Sequence, residues 1–253
     1  MMTEPIHRFR RTELLLGKAA LNRLRDAHVT VVGLGAVGSY AVETLARAGI
    51  GHFRLVDFDR VQPSNINRQL LALESTLGRS KVELARERVL GINPLCEVEA
   101  LEVFADEATR PAILAPPCDA IIDAIDSVGP KTGLLADAVR AGIPLIVSSM
   151  GAALRTDPSA IRTDDISNTA QCRLAQKIRK RLRRHGISKG IRCVFSTEPA
   201  QGESAAPEEA AEESGLQRGR KRKPLGSLST MTGIFGMLAA HEVIISIATR
   251  GRA

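Results

Sequence analysis

The sequence predicts an α/β fold built on a doubly wound, Rossmann-like and mostly parallel sheet, with a basic helical extension at the C-terminal end. Short apolar runs alternate with segments of helical periodicity through residues 1–153, which is typical of a parallel sheet covered by helices. A glycine-rich turn also joins the first apolar run to the helix after it. We expect residues 154–253 to form a basic half that packs on the same domain.

The elements of the first half are predicted in chain order from their periodicity. Apolar residues near helical spacing predict helices at 12–26, 39–50, 80–94 and 130–142. Ser80 is expected to cap the third of these helices, and Gly91 and Pro94 to end it. β-branched or alternating apolar runs predict strands at 28–33, 52–59, 96–104, 118–126 and 143–152. A polar loop at 60–70 takes the place of the helix expected after the second strand.

The second half begins with a strongly basic segment. Residues 170–192 contain nine lysines and arginines and no acidic residue. Leu174, Ile178 and Leu182 recur at every fourth position, which predicts a helix with a narrow apolar stripe and an otherwise basic surface.

The remaining residues predict a loop and a final helix. Residues 199–224 are rich in Ala, Glu, Pro, Gly and Ser, which favours a flexible loop, and this loop contains a second basic cluster at 218–223. Residues 225–248 return to an apolar, helical composition, and we expect them to pack back on the sheet.

Composition narrows the class of protein. With 253 residues, of which 44% are hydrophobic, the chain can bury a large core, which excludes a wholly disordered protein. Aromatic residues make up only 3%, so recognition of single-stranded nucleic acid by base stacking is not expected to dominate. The net charge of +7 favours an anionic partner without identifying it, and a role in solubility is the alternative.

The cysteines and the apolar segments predict a cytoplasmic protein. The four cysteines are scattered singly, which argues against a four-thiolate zinc site and against an oxidising compartment. The N-terminal segment lacks the apolar core of a signal peptide. The longest apolar stretch, at 233–248, is short for a membrane span and carries His241 and Glu242, so no membrane insertion is expected.

The glycine-rich turn has the spacing of a nucleotide-binding fingerprint. It reads GLGAVG, with Gly33, Gly35 and Gly38 between a predicted strand and a predicted helix. Glycines let the backbone approach a phosphate, and the helix N-terminus supplies free N–H groups and the positive end of its dipole. Asp57 ends the next strand, where a carboxylate can accept a ribose hydroxyl. The motif leaves NAD and ATP open, and a merely tight turn is the alternative.

A second group of polar residues favours ATP. Asn65 and Arg68 lie in the polar loop after Asp57, and Lys81 lies at the start of the following helix. Attack on the α-phosphorus of a triphosphate needs cations around the leaving pyrophosphate, which Arg68 and Lys81 can supply. Asp126 is predicted at the carboxyl end of a strand, the edge where open α/β sheets bind ligands, and it can hold Mg²⁺ beside phosphates. Each residue alone has an ordinary structural explanation, but the ordered set favours a triphosphate.

In this order the motifs resemble the ubiquitin-activating-enzyme-like ATP-dependent adenylyltransferases, the ThiF/MoeB superfamily. The matching segments are GLGAVG, VDFDRVQPSNINRQ, GRSKVELARERVLGINP and DAIDS, within residues 8–153. The resemblance implies that 1–153 is an ATP-binding adenylation half. It implies a nucleotide-binding set of Gly33, Gly35, Gly38, Asp57, Asp59, Asn65, Arg68, Lys81, Asp126 and Ser127.

The resemblance also implies roles. Asp57 would bind the ribose, while Asn65, Arg68 and Lys81 would bind the phosphates. Arg68, Lys81 and Asp126 would be catalytic, with Asp126 the ligand of Mg²⁺. In some members an N-terminal arginine reaches across a homodimer to the ATP of the other subunit, and Arg11 matches that position.

Three further segments resemble one branch of this superfamily, the tRNA threonylcarbamoyladenosine dehydratases. These segments are DAIDSVGPK, IRKRLRRHGISKGIRCVFSTE and GSLSTMTGIFG, so the resemblance extends over nearly the whole chain except 199–224. It implies that the threonine carboxylate of a modified adenosine in tRNA attacks ATP, and that the acyl adenylate then cyclises with loss of AMP. It also implies ATP and Mg²⁺ as cofactors, a homodimer, and the sulfurtransferase-type partner that some relatives use.

The basic segment then becomes a candidate surface for the tRNA backbone, because lysine and arginine contacts to phosphates give affinity without reading sequence. A solvated helix face is the alternative. The candidate tRNA-binding residues are Lys177, Arg179, Lys180, Arg181, Arg183, Arg184 and Lys189.

Other functions stay open at this point. An adenylyltransferase for a sulfur-carrier protein is disfavoured by the missing CxxC pairs and the basic second half. A nucleotide-sensing or RNA-binding module without chemistry is disfavoured by Arg68, Lys81 and Asp126, and an NAD oxidoreductase would have no use for the first two. Cys193 could be a nucleophile, but no base lies near it in sequence, which favours a buried structural thiol.

Overall fold

The sheet has seven strands in the order β3-β2-β1-β4-β5-β7-β6. They are β1 (His28–Val32), β2 (His52–Val56), β3 (Glu97–Leu101), β4 (Ala120–Asp123), β5 (Ile146–Ser149), β6 (Ile161–Asp165) and β7 (Arg192–Ser196). Every neighbouring pair is parallel except β6 and β7. This computed structural model describes residues 8–201 and 225–251, and it confirms the predicted doubly wound, mostly parallel sheet.

Eight α-helices of the described residues surround or extend the sheet. They are α1 (Arg10–Leu16), α2 (Lys18–Asp26), α3 (Gly38–Ala48), α4 (Lys81–Ile92), α5 (Arg110–Ile113), α6 (Val128–Arg140), α7 (Arg173–Arg183) and α8 (Ser229–Thr249). Alternate residues of the central strands enter two apolar clusters, because successive side chains of a strand point to opposite faces. In β4, Ile122 joins the cluster that contains α3 and α8, and Ile121 joins the cluster that contains α6 and α7.

Several local predictions need correction. The helix expected over 12–26 is two helices, because Gly17 at their junction has φ 89, in the left-handed region that favours glycine. Ser80 stands at the N-cap of α4 but makes no side-chain cap hydrogen bond, and its hydroxyl lacks a hydrogen-bond partner among the described residues. Strand β4 ends at Asp123, so Asp126 lies in the loop after the strand and not at its end.

The second half adds two strands that the sequence analysis did not predict. Strands β6 and β7 pair with each other, and β7 also pairs with β5, so one sheet contains residues from both halves. The predicted apolar stripe of the basic helix is confirmed, since Ile178 and Leu182 are buried and Leu174 packs against the core from the edge. The loop predicted at 199–224 lies outside the described residues from position 202 onward, and so does the basic cluster at 218–223.

Helix α8 packs back on the sheet as predicted. Its buried residues Met231, Phe235, Ala239, Val243 and Ile247 recur at every fourth position and join the cluster that contains α3. By length and composition it is the one helix of the described residues that could cross a membrane. Its buried stripe contacts α2, α3 and the strands β5 and β7, which is the environment of a core helix.

One ion-pair cluster joins α3 to α4 on the surface. The Glu43 carboxylate accepts hydrogen bonds from Nε of Arg47 at 2.6 Å and from Nε of Arg88 at 2.7 Å. Burial raises the pKa of Glu43, but the two arginines outweigh this effect and hold the pKa below its ordinary value. The cluster therefore contributes to stability only while the carboxyl is ionised.

Candidate functional site

A cavity of about 1120 Å³ opens at the carboxyl end of the sheet. Strands β1 and β4 are neighbours, and the chain leaves β1 toward β2 but leaves β4 toward β5, so the two connections run in opposite directions along the sheet. Open α/β sheets bind ligands in the crevice at such a switch point. Residues that follow β1, β2 and β4 line the cavity, and the volume is larger than most single-ligand pockets require.

The glycine-rich turn forms one side of this cavity through Gly33 and Gly35. Gly33 has φ 90, and a Cβ there would lie 2.9 Å from the carbonyl oxygen of Ala124. A Cβ on Gly38 would lie 1.7 Å from the carbonyl oxygen of Gly33, so only glycine lets α3 begin this close to the turn. The turn thus presents backbone N–H groups and the N-terminus of α3, an arrangement that binds phosphate.

Asp57 connects the glycine-rich turn to the end of β2. Its carboxylate accepts hydrogen bonds from the backbone N–H of Leu34 at 2.6 Å and of Asp59 at 2.9 Å. Burial raises the pKa of Asp57, although the nearby charge of Lys81 works in the opposite direction. A carboxylate has more lone pairs than these two bonds use, so Asp57 can still accept ribose hydroxyls.

The cations predicted for the phosphates both line the cavity. Nζ of Lys81 lies 3.0 Å from Oδ2 of Asp59, and the Lys81 side chain is buried. Arg68 is half-buried and donates from Nη1 to the carbonyl oxygen of Ser64 and to Oδ1 of Asn67, both at 2.8 Å. A triphosphate would have to compete with these partners for the two cations.

Asn65 does not line the cavity, and it holds the loop that carries Arg68. Its Oδ1 accepts from the backbone N–H of Gln62 at 3.2 Å. Its carbonyl oxygen accepts from the backbone N–H of Arg68 and of Gln69.

The sequence analysis missed Gln69, which is buried, lines the cavity and has an Oε1 without a hydrogen-bond partner among the described residues. That oxygen is itself buried, so the side chain would have to rotate before the oxygen could accept from a ligand in the cavity.

Asp126 is exposed and lines the cavity from the loop between β4 and α6. A fully buried ion pair supports this loop, with Nζ of Lys131 2.6 Å from Oδ2 of Asp123. Asp123 also accepts from the hydroxyl of Ser148 at 2.7 Å and from the backbone N–H of Ile125 at 3.1 Å. Nζ of Lys131 in turn donates to the carbonyl oxygen of Ile125 at 3.0 Å, so both members of the pair hold the residue before Asp126.

An apolar part of the wall follows β2 and β3. The rings of Phe58 and Phe104 meet edge to face with centroids 4.9 Å apart, and Val103 and Ala105 lie beside them. Such a surface suits the flat, apolar face of an adenine base. The residues after β3 gave no motif in the sequence, and their place at the cavity follows from the sheet order.

Three other predicted residues lie away from the cavity lining. Gly38 serves the packing of α3 described above, and Ser127 is half-buried at the N-cap of α6. Arg11 is exposed on α1, so within the described chain it does not reach the cavity. Its predicted role needs a second subunit.

Helix α7 brings the basic segment to the rim of the cavity. Arg173, Gln176 and Arg179 from its first turns are lining residues. Arg179 donates from Nη1 to the carbonyl oxygen of Thr169 at 2.6 Å and also to the Thr169 hydroxyl. The other predicted tRNA-binding residues are exposed, namely Lys177, Lys180, Arg181, Arg183, Arg184 and Lys189.

Cys193 is buried in β7, and burial raises the pKa of its thiol well above the usual range. A nucleophilic cysteine needs the opposite, a depressed pKa and access to substrate. The geometry therefore agrees with a structural thiol.

Comparisons with known proteins point to one family. A family model described as the ThiF family matches residues 9–253. The chain is 40% identical over 245 residues to the tRNA threonylcarbamoyladenosine dehydratase of Bacillus subtilis, a match covering 96% of this chain and 95% of the relative. Its fold is similar to the crystal structure of Escherichia coli tRNA N6-threonylcarbamoyladenosine dehydratase in complex with ATP, with a TM-score of 0.86, 35% identity, and coverage of 100% of this chain and 98% of that one.

Similarity to the sulfur-carrier branch is confined to part of the chain. Molybdopterin-synthase adenylyltransferase of Escherichia coli is 38% identical over 134 residues, which covers 53% of this chain and 52% of that relative. The dehydratase match thus covers nearly the whole chain, whereas this one covers about half of it.

Proposed function

The chain belongs to the ThiF family, and from that premise we propose that it uses ATP to dehydrate threonylcarbamoyladenosine in tRNA. One observation carries the proposal: a single cavity is lined both by the glycine-rich turn and by the start of the basic helix α7. A nucleotide site and an RNA-binding surface that meet in this way suit an enzyme that activates a group on RNA with ATP.

The reaction has two steps. A carboxylate oxygen of the threonine moiety attacks the α-phosphorus of ATP, forming an acyl adenylate and releasing pyrophosphate. The carbamoyl group of the same side chain then attacks the activated carbonyl carbon, and the ring closes as AMP leaves and a proton is lost. The net change in the nucleoside is the loss of water. Because the second attack is intramolecular, the protein needs mainly to position the groups and stabilise charge.

Different residues of the cavity bind different parts of ATP in this proposal. Asp57 accepts the ribose hydroxyls, the glycine-rich turn binds the phosphates through its backbone, and Phe58 and Phe104 hold the base. Arg68 and Lys81 stabilise the negative charge that grows on the leaving pyrophosphate, once the triphosphate displaces their present partners.

The residues also fit a magnesium ion. Proteins hold Mg²⁺ through one or two carboxylates together with substrate phosphates and water. Asp126 is the exposed carboxylate of the lining, on the loop between β4 and α6, and we assign it to this role. Bound there, the ion would neutralise charge on the phosphates. Asp126 would hold it, and Asp123 and Lys131 would keep the loop in place.

The exposed basic residues of α7 bind the tRNA backbone in this proposal. The charge-matched pair of variants is Lys180→Ala/Arg184→Ala at the C-terminal end of α7 and Arg79→Ala/Arg86→Ala at and before α4, all four side chains being exposed. We expect only the α7 variant to weaken tRNA binding, with a salt slope lower by about two because each lost phosphate contact removes about one. Equal losses in both variants would mean that overall charge binds the tRNA, and not this helix.

The assembly and location belong to the same proposal. We propose a cytoplasmic homodimer in which Arg11 of one subunit completes the ATP site of the other. Helix α1 supports an interface here, because Leu14 and Leu15 beside Arg11 are 67% and 83% exposed. A sulfurtransferase-type protein partner rests on the resemblance alone. Sedimentation equilibrium tests the dimer, and a monomeric mass would remove Arg11 from the site.

The reaction is tested by incubating the protein with α-labelled ATP and tRNA that carries threonylcarbamoyladenosine. AMP and pyrophosphate are measured, and the nucleosides are analysed by mass for the loss of water. We expect the tRNA to stimulate AMP release and Asp126→Asn to lower kcat/KM on the order of 100-fold or more while the fold persists.

The matched control is Glu97→Gln. Glu97 begins β3 at the opposite edge of the sheet, and its side chain is 81% exposed, so its loss should leave the reaction unchanged. ATP turnover that ignores tRNA but responds to a Gly-Gly-ended carrier protein would overturn the proposal in favour of sulfur-carrier activation.

A further inference from the structure

The cavity has a second region whose charge differs from that of the nucleotide region. The carboxylates of the lining, Asp57, Asp59 and Asp126, all belong to the part that follows β2 and β4. The part contributed by residues 149–179 contains three arginines and, among the described residues, no carboxylate. We call these residues, Arg155, Arg173 and Arg179, the arginine wall.

Arg155 is the most buried member, with 4% of its surface exposed. Its guanidinium donates to the carbonyl oxygens of Gly151 at 3.3 Å, Gln171 at 3.2 Å and Glu198. These partners are neutral carbonyls, and the guanidinium has more N–H groups than they use. Within the part of the chain that the structure describes, no ion pair involves any member of the arginine wall. A buried charge without a counter-ion is costly, so the wall favours an anionic ligand.

Glu198 is the acidic residue whose backbone contacts Arg155, and its carboxylate is already engaged. The carboxylate of Glu198 accepts the backbone N–H groups of Thr156 at 3.0 Å and Asp157 at 2.9 Å, and also the hydroxyl of Thr156. Glu198 therefore contacts the Arg155 guanidinium through its carbonyl oxygen, while its carboxylate binds the two residues that follow Arg155. The charge of Arg155 stays available to the cavity.

Arg179 approaches the same segment as Arg155. It donates to the carbonyl oxygen of Thr169, two residues before the Gln171 carbonyl that Arg155 uses. The backbone here is unusual, since Leu154 and Gln171 have φ 60 and 51 and are the non-glycine residues with left-handed φ in the described chain. Both line this region of the cavity. Backbone strain of this kind gathers at ligand sites, where the surroundings hold it in place.

We infer that the arginine wall is the subsite for the carboxylate of the threonylcarbamoyl side chain, with Arg155 as its main ligand and Arg179 as the second. The inference rests on the proposed function and names where its substrate binds. A phosphate of the tRNA backbone is the other candidate anion. It would stay outside the cavity, and Arg155 is too buried to contact a group there. The side chain of the modified adenosine enters the cavity, and its carboxylate must lie near the α-phosphorus of ATP to react.

The test compares two ligands that differ in that charge and by one methyl group. They are an anticodon stem-loop RNA carrying threonylcarbamoyladenosine and the same RNA with its threonine carboxyl as a methyl ester. Binding is measured by calorimetry in the presence of α,β-methylene ATP, which prevents adenylation. We expect the wild-type protein to bind the acid about 10-fold or more tightly than the ester, the scale of a charge-assisted hydrogen bond.

In Arg155→Gln that ratio should fall to near one, mainly through weaker binding of the acid, while the affinity for the ATP analogue stays unchanged. Arg179→Gln should lower the ratio part of the way. Arg162→Gln is the matched control, because Arg162 also donates to backbone carbonyls in this half but is exposed and outside the cavity lining. Arg155→Lys keeps the charge and covers the case in which the glutamine variant does not fold; it should retain a ratio above one.

The outcomes distinguish a failure of the carboxylate subsite from a failure of the proposed function. If wild-type protein dehydrates the modified tRNA but both glutamine variants keep the wild-type ratio of acid to ester affinity, the arginine wall is not the carboxylate subsite. If Arg155→Gln weakens the acid, the ester and the ATP analogue equally, Arg155 only holds loops together and the inference fails. If wild-type protein neither binds nor converts the RNA, the proposed function itself is wrong.

Discussion

The buried ion pair between Lys131 and Asp123 provides the sharpest prediction about stability. Both side chains are fully buried and the charged atoms lie 2.6 Å apart. Lys131→Met removes the cation with little change in volume, and it leaves the Asp123 carboxylate in the core without a counter-ion. Removal of one member of a buried pair commonly costs about 3–5 kcal/mol.

The structure places the expected loss near the lower end of that range. Asp123 keeps two hydrogen bonds, from the Ser148 hydroxyl at 2.7 Å and the Ile125 backbone N–H at 3.1 Å, and these partly solvate its charge. Against this, the carbonyl oxygen of Ile125 loses the Lys131 ammonium as its donor, at a further cost of about 1 kcal/mol. We expect a loss of about 3–4 kcal/mol in the free energy of unfolding.

The assay is equilibrium unfolding in urea, followed by circular dichroism. A loss of this size should lower the midpoint by ~1 M or more, since m-values are about 1–3 kcal/mol/M. In the double variant Asp123→Asn/Lys131→Met no charge remains buried, so about half of the loss or more should be recovered. A loss below ~1 kcal/mol in the single variant, or no recovery in the double variant, would refute the argument from an uncompensated charge.

Other substitutions test packing and surface charge. Gly38→Ala should destabilise the fold by about 3 kcal/mol and abolish ATP binding by calorimetry, because its Cβ would lie 1.7 Å from the Gly33 carbonyl oxygen. Gly91→Ala, in α4 with no atom beyond its own stretch of helix backbone within 4 Å of the added Cβ, should instead raise the free energy of unfolding by ~0.5–1 kcal/mol. Glu43→Gln should cost ~0.5–1 kcal/mol at pH 7. The difference from wild type in urea unfolding should shrink as the pH falls below the ordinary glutamate pKa of about 4.3, and it should vanish below the depressed pKa of Glu43, where the pairing with Arg88 is lost.

The first five strands could be predicted because each is a short apolar run with a helical segment or polar loop beside it. Strands β6 and β7 could not. The sequence of β6, IRTDD, is mostly polar because it is an edge strand, and its partner RCVFS follows directly on a basic segment. Their pairing spans α7, so the signal lies in a contact between distant segments and not in local periodicity.

The same distinction applies to the candidate site. Gly33, Asp57 and Lys81 could be predicted because each has a fixed place in a motif beside a strand or helix end. Arg155 and Gln69 belong to no motif of this kind. Their roles depend on burial, which arises where loops meet in the folded chain. Asn65 shows the reverse case, since it has a motif position but lies beneath the loop and not in the cavity lining.

The place of β7 inside the sheet has a consequence for synthesis. When the first two thirds of the chain have left the ribosome, β5 still presents an open edge and the apolar face of α3 lacks its cover, because β7 and α8 are made last. Open strand edges and bare apolar faces promote association between nascent chains. We expect the growing polypeptide to bind chaperones until α8 emerges, and truncations that end before residue 229 to collect in inclusion bodies.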